Sequence, residues 1–83
     1  MSSITPRLKK VLYRLLESKD EVTSKNLAIS AGVSTRTIKK DIIELNTLLE
    51  EYGAGIEAHL GKGYQLIQKD EFLFSQLLLT MKN

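Results

Sequence analysis

Residues 24–45 read SKNLAISAGVSTRTIKKDIIEL, and the placing of small and apolar side chains in this stretch decides the fold. Leu27, Ala28 and Ala31 share one side of a short helix expected from Lys25 to about Ala31, with Ser24 as its N-cap. Gly32 stands where that helix would end on a left-handed residue, and Ser34, just beyond it, can cap the next one. The second helix is expected from Thr35 to about Tyr52, with Ile38, Ile42, Leu45 and Leu49 along one face. The stretch therefore reads as two helices joined by a tight turn.

Each key position has a steric reason. Ala28 is small where the following helix crosses over it, Gly32 supplies the turn conformation, and Val33 and Ile38 fill the gap between the helices. This is the spacing of a DNA-binding helix-turn-helix. Burying Ile38, Ile42 and Leu45 leaves Thr35, Arg36, Lys39, Lys40 and Ile43 on the outer face. Arg36, Lys39, Lys40 and Ile43 recur at i, i+3, i+4 and i+7, one contiguous stripe. A helix entering the major groove N-terminus first would present that stripe to base edges and flanking phosphates. The competing reading is a helical hairpin with a solvated basic face; agreement among turn chemistry, small-residue placement and charge favours the first.

Working outward, Thr5-Pro6 is an N-cap followed by proline at the first helical position. Leu8, Val11, Leu12 and Leu15, widened by Leu16, bury one face of a helix up to about Ser18, with Arg7, Lys10 and Arg14 opposite. Val22-Thr23 is a short extended piece that could add an edge strand. After Gly53-Ala54-Gly55 stops the long helix, Ile56, Ala58 and Leu60 alternate with Glu57 and His59. Gly61-Lys62-Gly63 then turns the chain, and Tyr64 and Leu66 alternate about Gln65, completing a β-hairpin. A terminal helix capped near Asp70 carries Phe72, Leu73, Phe74, Leu77, Leu78, Leu79 and Met81, more apolar surface than one stripe on so small a domain can bury.

The stretch AGVSTRTIKKDIIELN resembles the helix-turn-helix of DeoR-type winged-helix regulators, whose recognition helix carries a VSxRTIxxDI-like pattern. Gly61-Lys62-Gly63-Tyr64-Gln65-Leu66 is similar to the GxGYxL hairpin of the same broad group, which includes the biotin-operon repressor and the N-terminal domains of phosphotransferase-system operon activators. The spacing LNxLLEEYGAGIEA looks most like those activators, of the mannitol and lichenan operon type. The resemblance covers about residues 5–68. It implies DNA contacts by Ser34, Thr35, Arg36, Thr37, Lys39 and Lys40, and a phosphate contact by Lys62 at the wing tip. Asp41 fits the RTIxxDI variant and is read as structural, paired with a basic group such as Arg36 or Lys40, because a carboxylate aimed at phosphate would weaken binding.

The expected fold class is α+β: a winged helix-turn-helix with a three-helix core, a β-hairpin wing and an extra C-terminal helix. Residues 1–68 would form the DNA-binding domain, and residues 69–83 a helix for dimerisation or interdomain contact. Charge is segregated in the same sense. Residues 1–40 hold nine Lys or Arg against three Asp or Glu, and residues 41–83 hold three against seven, although the whole chain is only +2. The expected function is sequence-specific binding of double-stranded DNA in bacterial transcription regulation, as the head of a sugar-operon regulator. A homodimer formed through the C-terminal segment or downstream domains is the expected assembly.

Other classes have less behind them. There is no cysteine and a single histidine, so no metal site or cofactor is expected. Gly55–Gly63, GIEAHLGKG, has the wrong spacing for a phosphate loop, and no serine is marked as a nucleophile, so no catalytic residue is assigned. His59 reads as an exposed strand residue. The start Met1-Ser2-Ser3-Ile4 lacks a signal-peptide layout, and no apolar run could span a bilayer, so a cytoplasmic protein without membrane contact is expected. The alternatives are a winged helix that binds protein instead of DNA, which acidic residues on the outer stripe would favour, and an RNA reader, which would favour more aromatic residues on the hairpin than Tyr64 alone.

Overall fold

A computed structural model describes residues 4–81; the expectations for Met1-Ser2-Ser3 and for the last two residues of the terminal segment lie outside them. The elements follow in the order α1 (Pro6–Glu17), α2 (Ser24–Ala31), α3 (Thr35–Glu50), β1 (Ala54–His59), β2 (Gly63–Gln68) and α4 (Glu71–Met81). This is the α+β winged helix with a C-terminal helix that the sequence predicts.

Side-chain caps fix where the helices begin, Asp70 doing so for α4 through the Leu73 amide at 3.1 Å. The Thr5 hydroxyl accepts from the Leu8 amide at 3.2 Å, with Pro6 in the first turn. Thr23, not Ser24, caps α2, accepting from the Asn26 amide at 3.1 Å; Ser24 is already helical. Ser34 caps α3 through the Thr37 amide at 3.2 Å. The turn between α2 and α3 depends on Gly32, whose φ of 73° lets its N–H and that of Val33 both return to the Ala28 carbonyl, at 2.8 and 3.0 Å. A side chain at that φ would be strained.

The core is one cluster. Leu8, Val11, Leu12 and Leu15 of α1 meet Leu27 and Ala28 of α2 and Ile38, Ile42, Leu45 and Leu49 of α3. Phe74, Leu77 and Met81 of α4 join it, so the terminal helix shares the core of the helix-turn-helix. Leu78 packs partly against it, and the remaining apolar side chains of the helix face out: Phe72 is 71% exposed where Phe74 is 2% exposed, and Leu73 and Leu79 are exposed too.

The wing is a two-stranded antiparallel hairpin in the register Ala54↔Gln68 to His59↔Gly63. Val22 pairs with Tyr64 through two backbone hydrogen bonds of 2.8 Å, so the extended piece before α2 adds a single bridge, not a strand. Gly63 makes that bridge possible: its φ is 121°, and a Cβ there would lie 2.5 Å from the Val22 carbonyl oxygen. Asn46 ties the other strand to α3, its Oδ1 accepting from the Ile56 amide at 2.8 Å. The alternation expected through Leu60 ends earlier than the sequence suggests. Leu60 lies in the turn, fully exposed, because β1 closes at His59.

The two phenylalanines of α4 should therefore differ sharply in cost. Phe74→Ala is expected to lower unfolding free energy by about 3–5 kcal/mol through lost burial and a residual cavity, and Phe72→Ala by less than about 0.5 kcal/mol. Urea denaturation of both variants checks this; equal losses would contradict the placement of α4.

Candidate nucleic-acid interface

The first half of α3 turns its basic stripe to solvent because its other face is committed to the core. Ile38, Ile42, Leu45 and Leu49 are buried, while Thr35, Arg36, Lys39 and Lys40 are exposed and Ile43 is 70% exposed. Arg36, Lys39, Lys40 and Lys62 make no ion pair with any described residue. The charges also run against the helix's own preference. There is no acidic residue in the first turn of α3 and no basic residue in its last turn, although the helix dipole favours the reverse. Basic groups held at a positive helix end serve an external anion better than they serve the helix.

The expected contact residues do not all have the same freedom. The Ser34 hydroxyl accepts from the Thr37 amide and donates to the Thr37 hydroxyl at 3.1 Å, so both side chains are engaged in the cap. Thr35 and Arg36 follow on the exposed side of the first turn. Lys39 is brought together with Lys62: one groove is lined by Thr23 and Ser24 at the start of α2, Lys39 of α3, and the wing tip from Ala58 to Tyr64. A second groove continues along α3 past Ile43 and Asn46, with Ile56 and Tyr64 forming its other wall. Arg36 and Lys40 line neither groove.

The wing tip is held by a charged bridge that the sequence does not reveal. His59 Nδ1 lies 2.7 Å from Glu21 Oε2 and its Nε2 lies 3.1 Å from Glu57 Oε1. With a carboxylate at each ring nitrogen, the doubly protonated ring is favoured, since only that form donates from both. The hydrogen bond to Glu21, then that to Glu57, raises the His59 pKa above its ordinary 6.5. The bond to His59 in turn lowers Glu21 below its ordinary 4.5, and nearby Lys62 acts in the same direction. His59 is thus a link between wing and the loop before α2, not the exposed strand residue the sequence suggests.

Asp41 is structural and paired with a basic group, as expected, but with a different partner. Its carboxylate accepts from Arg7 Nε at 2.8 Å and from Arg7 Nη2 at 2.9 Å, so its partner comes from α1 and is neither Arg36 nor Lys40. Arg7, placed with Lys10 and Arg14 on a solvated face by periodicity, is drawn out of that stripe. The one available signal was Asp41 itself, a carboxylate in the middle of an amphipathic helix, which when buried needs a cation.

Among the described residues, no group of three or more His, Asp or Glu side chains is placed to hold a metal ion, and no helix is long and apolar enough to cross a membrane.

A helix-turn-helix with an exposed basic second helix and a hairpin wing beside it defines a class, the winged helix-turn-helix domains. Comparison with known proteins agrees: the HTH domain family matches residues 7–65, and the chain belongs to that family, which points to DNA binding in transcription regulation. The chain is 39% identical over 72 residues to a probable licABCH operon regulator of Bacillus subtilis (strain 168). That match spans 87% of this chain but 11% of the relative, so the chain corresponds to a small part of that protein's length. No solved structure matches the chain.

The bridge at His59 gives stability a definite pH dependence. The raised pKa of His59 means its contribution is fully present below 6.5 and is lost as pH rises through the raised value. The lowered pKa of Glu21 means its contribution is present above 4.5 and is lost as pH falls through the lowered value. Urea midpoints of the wild type and His59→Gln should differ most at about pH 5.5 and converge by about pH 8.5. A gap that widens toward alkaline pH would contradict the bridge.

Proposed function

We propose that the chain binds double-stranded DNA sequence-specifically, with α3 in the major groove and the wing on the adjoining backbone. The carrying observation is the stripe of Arg36, Lys39, Lys40 and Ile43, exposed along the first nine residues of α3 and without ion pairs among the described residues. In this reading Thr35, Arg36 and Lys39 face base edges, while Lys40 and Lys62 meet phosphates and release counterions. Ser34 and Thr37 contribute mainly by setting the start of the helix, their hydroxyls remaining within reach of the backbone of the duplex. Leu60, unsupported at the wing tip beside Lys62, would pack against sugar.

We further read the chain as the DNA-binding head of a bacterial, cytoplasmic sugar-operon regulator linked to a phosphotransferase system. The likeness to the probable licABCH operon regulator supports this, as does the resemblance of the wing to that of operon activators. Self-association through the exposed Phe72, Leu73 and Leu79 would place two heads on one site.

The roles of Arg36 and Lys62 differ in kind and can be separated. A guanidinium in the first turn of α3 can reach guanine O6 and N7 with two hydrogen bonds, whereas one ammonium on a hairpin meets phosphate. Arg36→Ala should cost about 1–3 kcal/mol on a duplex selected from a random pool and relax preference at one base pair. Lys62→Ala should weaken selected and scrambled duplexes alike and reduce the salt slope by about one unit. Titrations of both variants on both duplexes at several salt concentrations check this, and their stoichiometry is expected to be two domains per selected site. Equal losses for Arg36→Ala on the two duplexes would remove its base-reading role; wild-type affinity indifferent to salt would remove the duplex-binding reading altogether.

A further inference from the structure

Asp41 is the buried charged side chain of the described core, 3% exposed, and it lies in the middle of the helix whose other face carries the basic stripe. At about 100° per residue, Asp41 lies roughly 140° around α3 from Arg36. Whatever holds Asp41 therefore sets the direction in which Arg36, Lys39 and Lys40 point. Apolar burial is not directional, so the packing of Ile38, Ile42, Leu45 and Leu49 constrains that direction less sharply than a hydrogen bond of defined geometry does. A two-pronged hydrogen-bonded ion pair is directional. Arg7 Nε and Nη2 each take one oxygen of the carboxylate, at 2.8 and 2.9 Å, across 34 residues of sequence.

We propose that Arg7 is a positioning residue for duplex reading: its fork on Asp41 locks the rotation of α3 about its own axis and so registers the outer stripe against base edges. The inference rests on the duplex-binding reading above and adds a residue that touches no DNA. Its physical content is a tolerance. For a side-chain atom roughly 6 Å from the helix axis, a roll of about 10° is a displacement of about 1 Å. Phosphate contacts by lysine survive such a shift, since an ammonium on a flexible stem follows its target. Two-pronged contacts to a base edge do not survive it, because they need placement to about 0.5 Å. Loss of the fork should therefore remove discrimination and leave general affinity.

The pair also disposes of a charge. Asp41 directly follows Lys39 and Lys40, and a carboxylate free to swing outward there would oppose the phosphates that those lysines attract. The Asp41 side chain is 5% exposed, with both oxygens engaged by Arg7. Arg7 itself is half-exposed, so its guanidinium satisfies the buried carboxylate while keeping contact with water.

Arg7→Lys tests this most cleanly, because it keeps the charge and removes the fork. The probe is a duplex enriched by the wild-type chain from a randomised pool, compared with a scrambled duplex of equal length. The folded variant is expected to show an unchanged salt slope, near wild-type affinity for the scrambled duplex and a ratio of selected to scrambled affinity lowered roughly tenfold. Asp41→Asn, which keeps shape and one acceptor, is the second variant should Arg7→Lys melt at the assay temperature, and the same loss of ratio is expected in it. A purely structural role predicts a lower Tm with both affinities falling by one factor and the ratio intact; that result, or a wild-type ratio in the folded variant, overturns the inference. A wild-type chain that enriches no sequence removes the duplex-binding reading first, and the inference with it.

Discussion

Ile38, Ile42, Leu45 and Leu49 of α3 are buried along one ridge, and α1, α2 and α4, with Val22 and Ala54, supply the rest of the same apolar cluster. Each such side chain contributes about 1.5–3 kcal/mol on burial, so the ridge alone is comparable to the whole net stability of a small domain. That commitment determines the rest. With the inner face of α3 occupied, the opposite face is the only place left for Arg36, Lys39 and Lys40, and the surface that function requires is produced by the packing that stability requires. The glycine at 32 and the cap at Ser34 matter because they bring α3 across α2 at the angle that buries the ridge.

Directional bonds then set what apolar packing leaves loose. Asn46 accepts from the amide of Ile56 and holds β1 beside α3. Val22 and Tyr64 exchange backbone hydrogen bonds, and His59 joins Glu21 to Glu57, so the wing is fastened to the segment before α2 as well. Arg7 joins α1 to Asp41. These links surround the basic stripe without using any of its residues. The charge distribution follows the same division: basic groups occupy the exposed first half of α3 and the wing tip, while Glu44, Glu50 and Glu51 lie about a groove at its far end.

Local features of this architecture were legible in the sequence because they repeat over a few residues. The helix periods of α1 and α3, the Gly32 turn, the Ser34 cap and the hairpin around Gly61 are of this kind. What joins distant segments was not. Arg7 and Asp41 are 34 residues apart, and His59 and Glu21 are 38 apart, so periodicity assigned each charge to a solvated face or to a nearby partner. The basic stripe is an outer face in sequence and structure alike, yet nothing in its spacing shows that Ser34 and Thr37 spend their hydroxyls on one another. In α4, Phe72 and Phe74 are equally apolar, and only the start fixed by Asp70, whose carboxylate accepts from the Leu73 amide, decides which of the two faces the core.

In the proposed mode of binding, the duplex meets the outer face of the first half of α3 together with the wing tip. Backbone amide shifts of the labelled chain, followed while a selected duplex is added, measure this directly. The largest changes are expected from Thr35 to Lys40 and around Lys62, with little change at Glu50, Glu51 or along α4 beyond any dimer contact. Changes concentrated between Glu44 and Glu51, with the amides of Thr35 to Lys40 left in place, would contradict it.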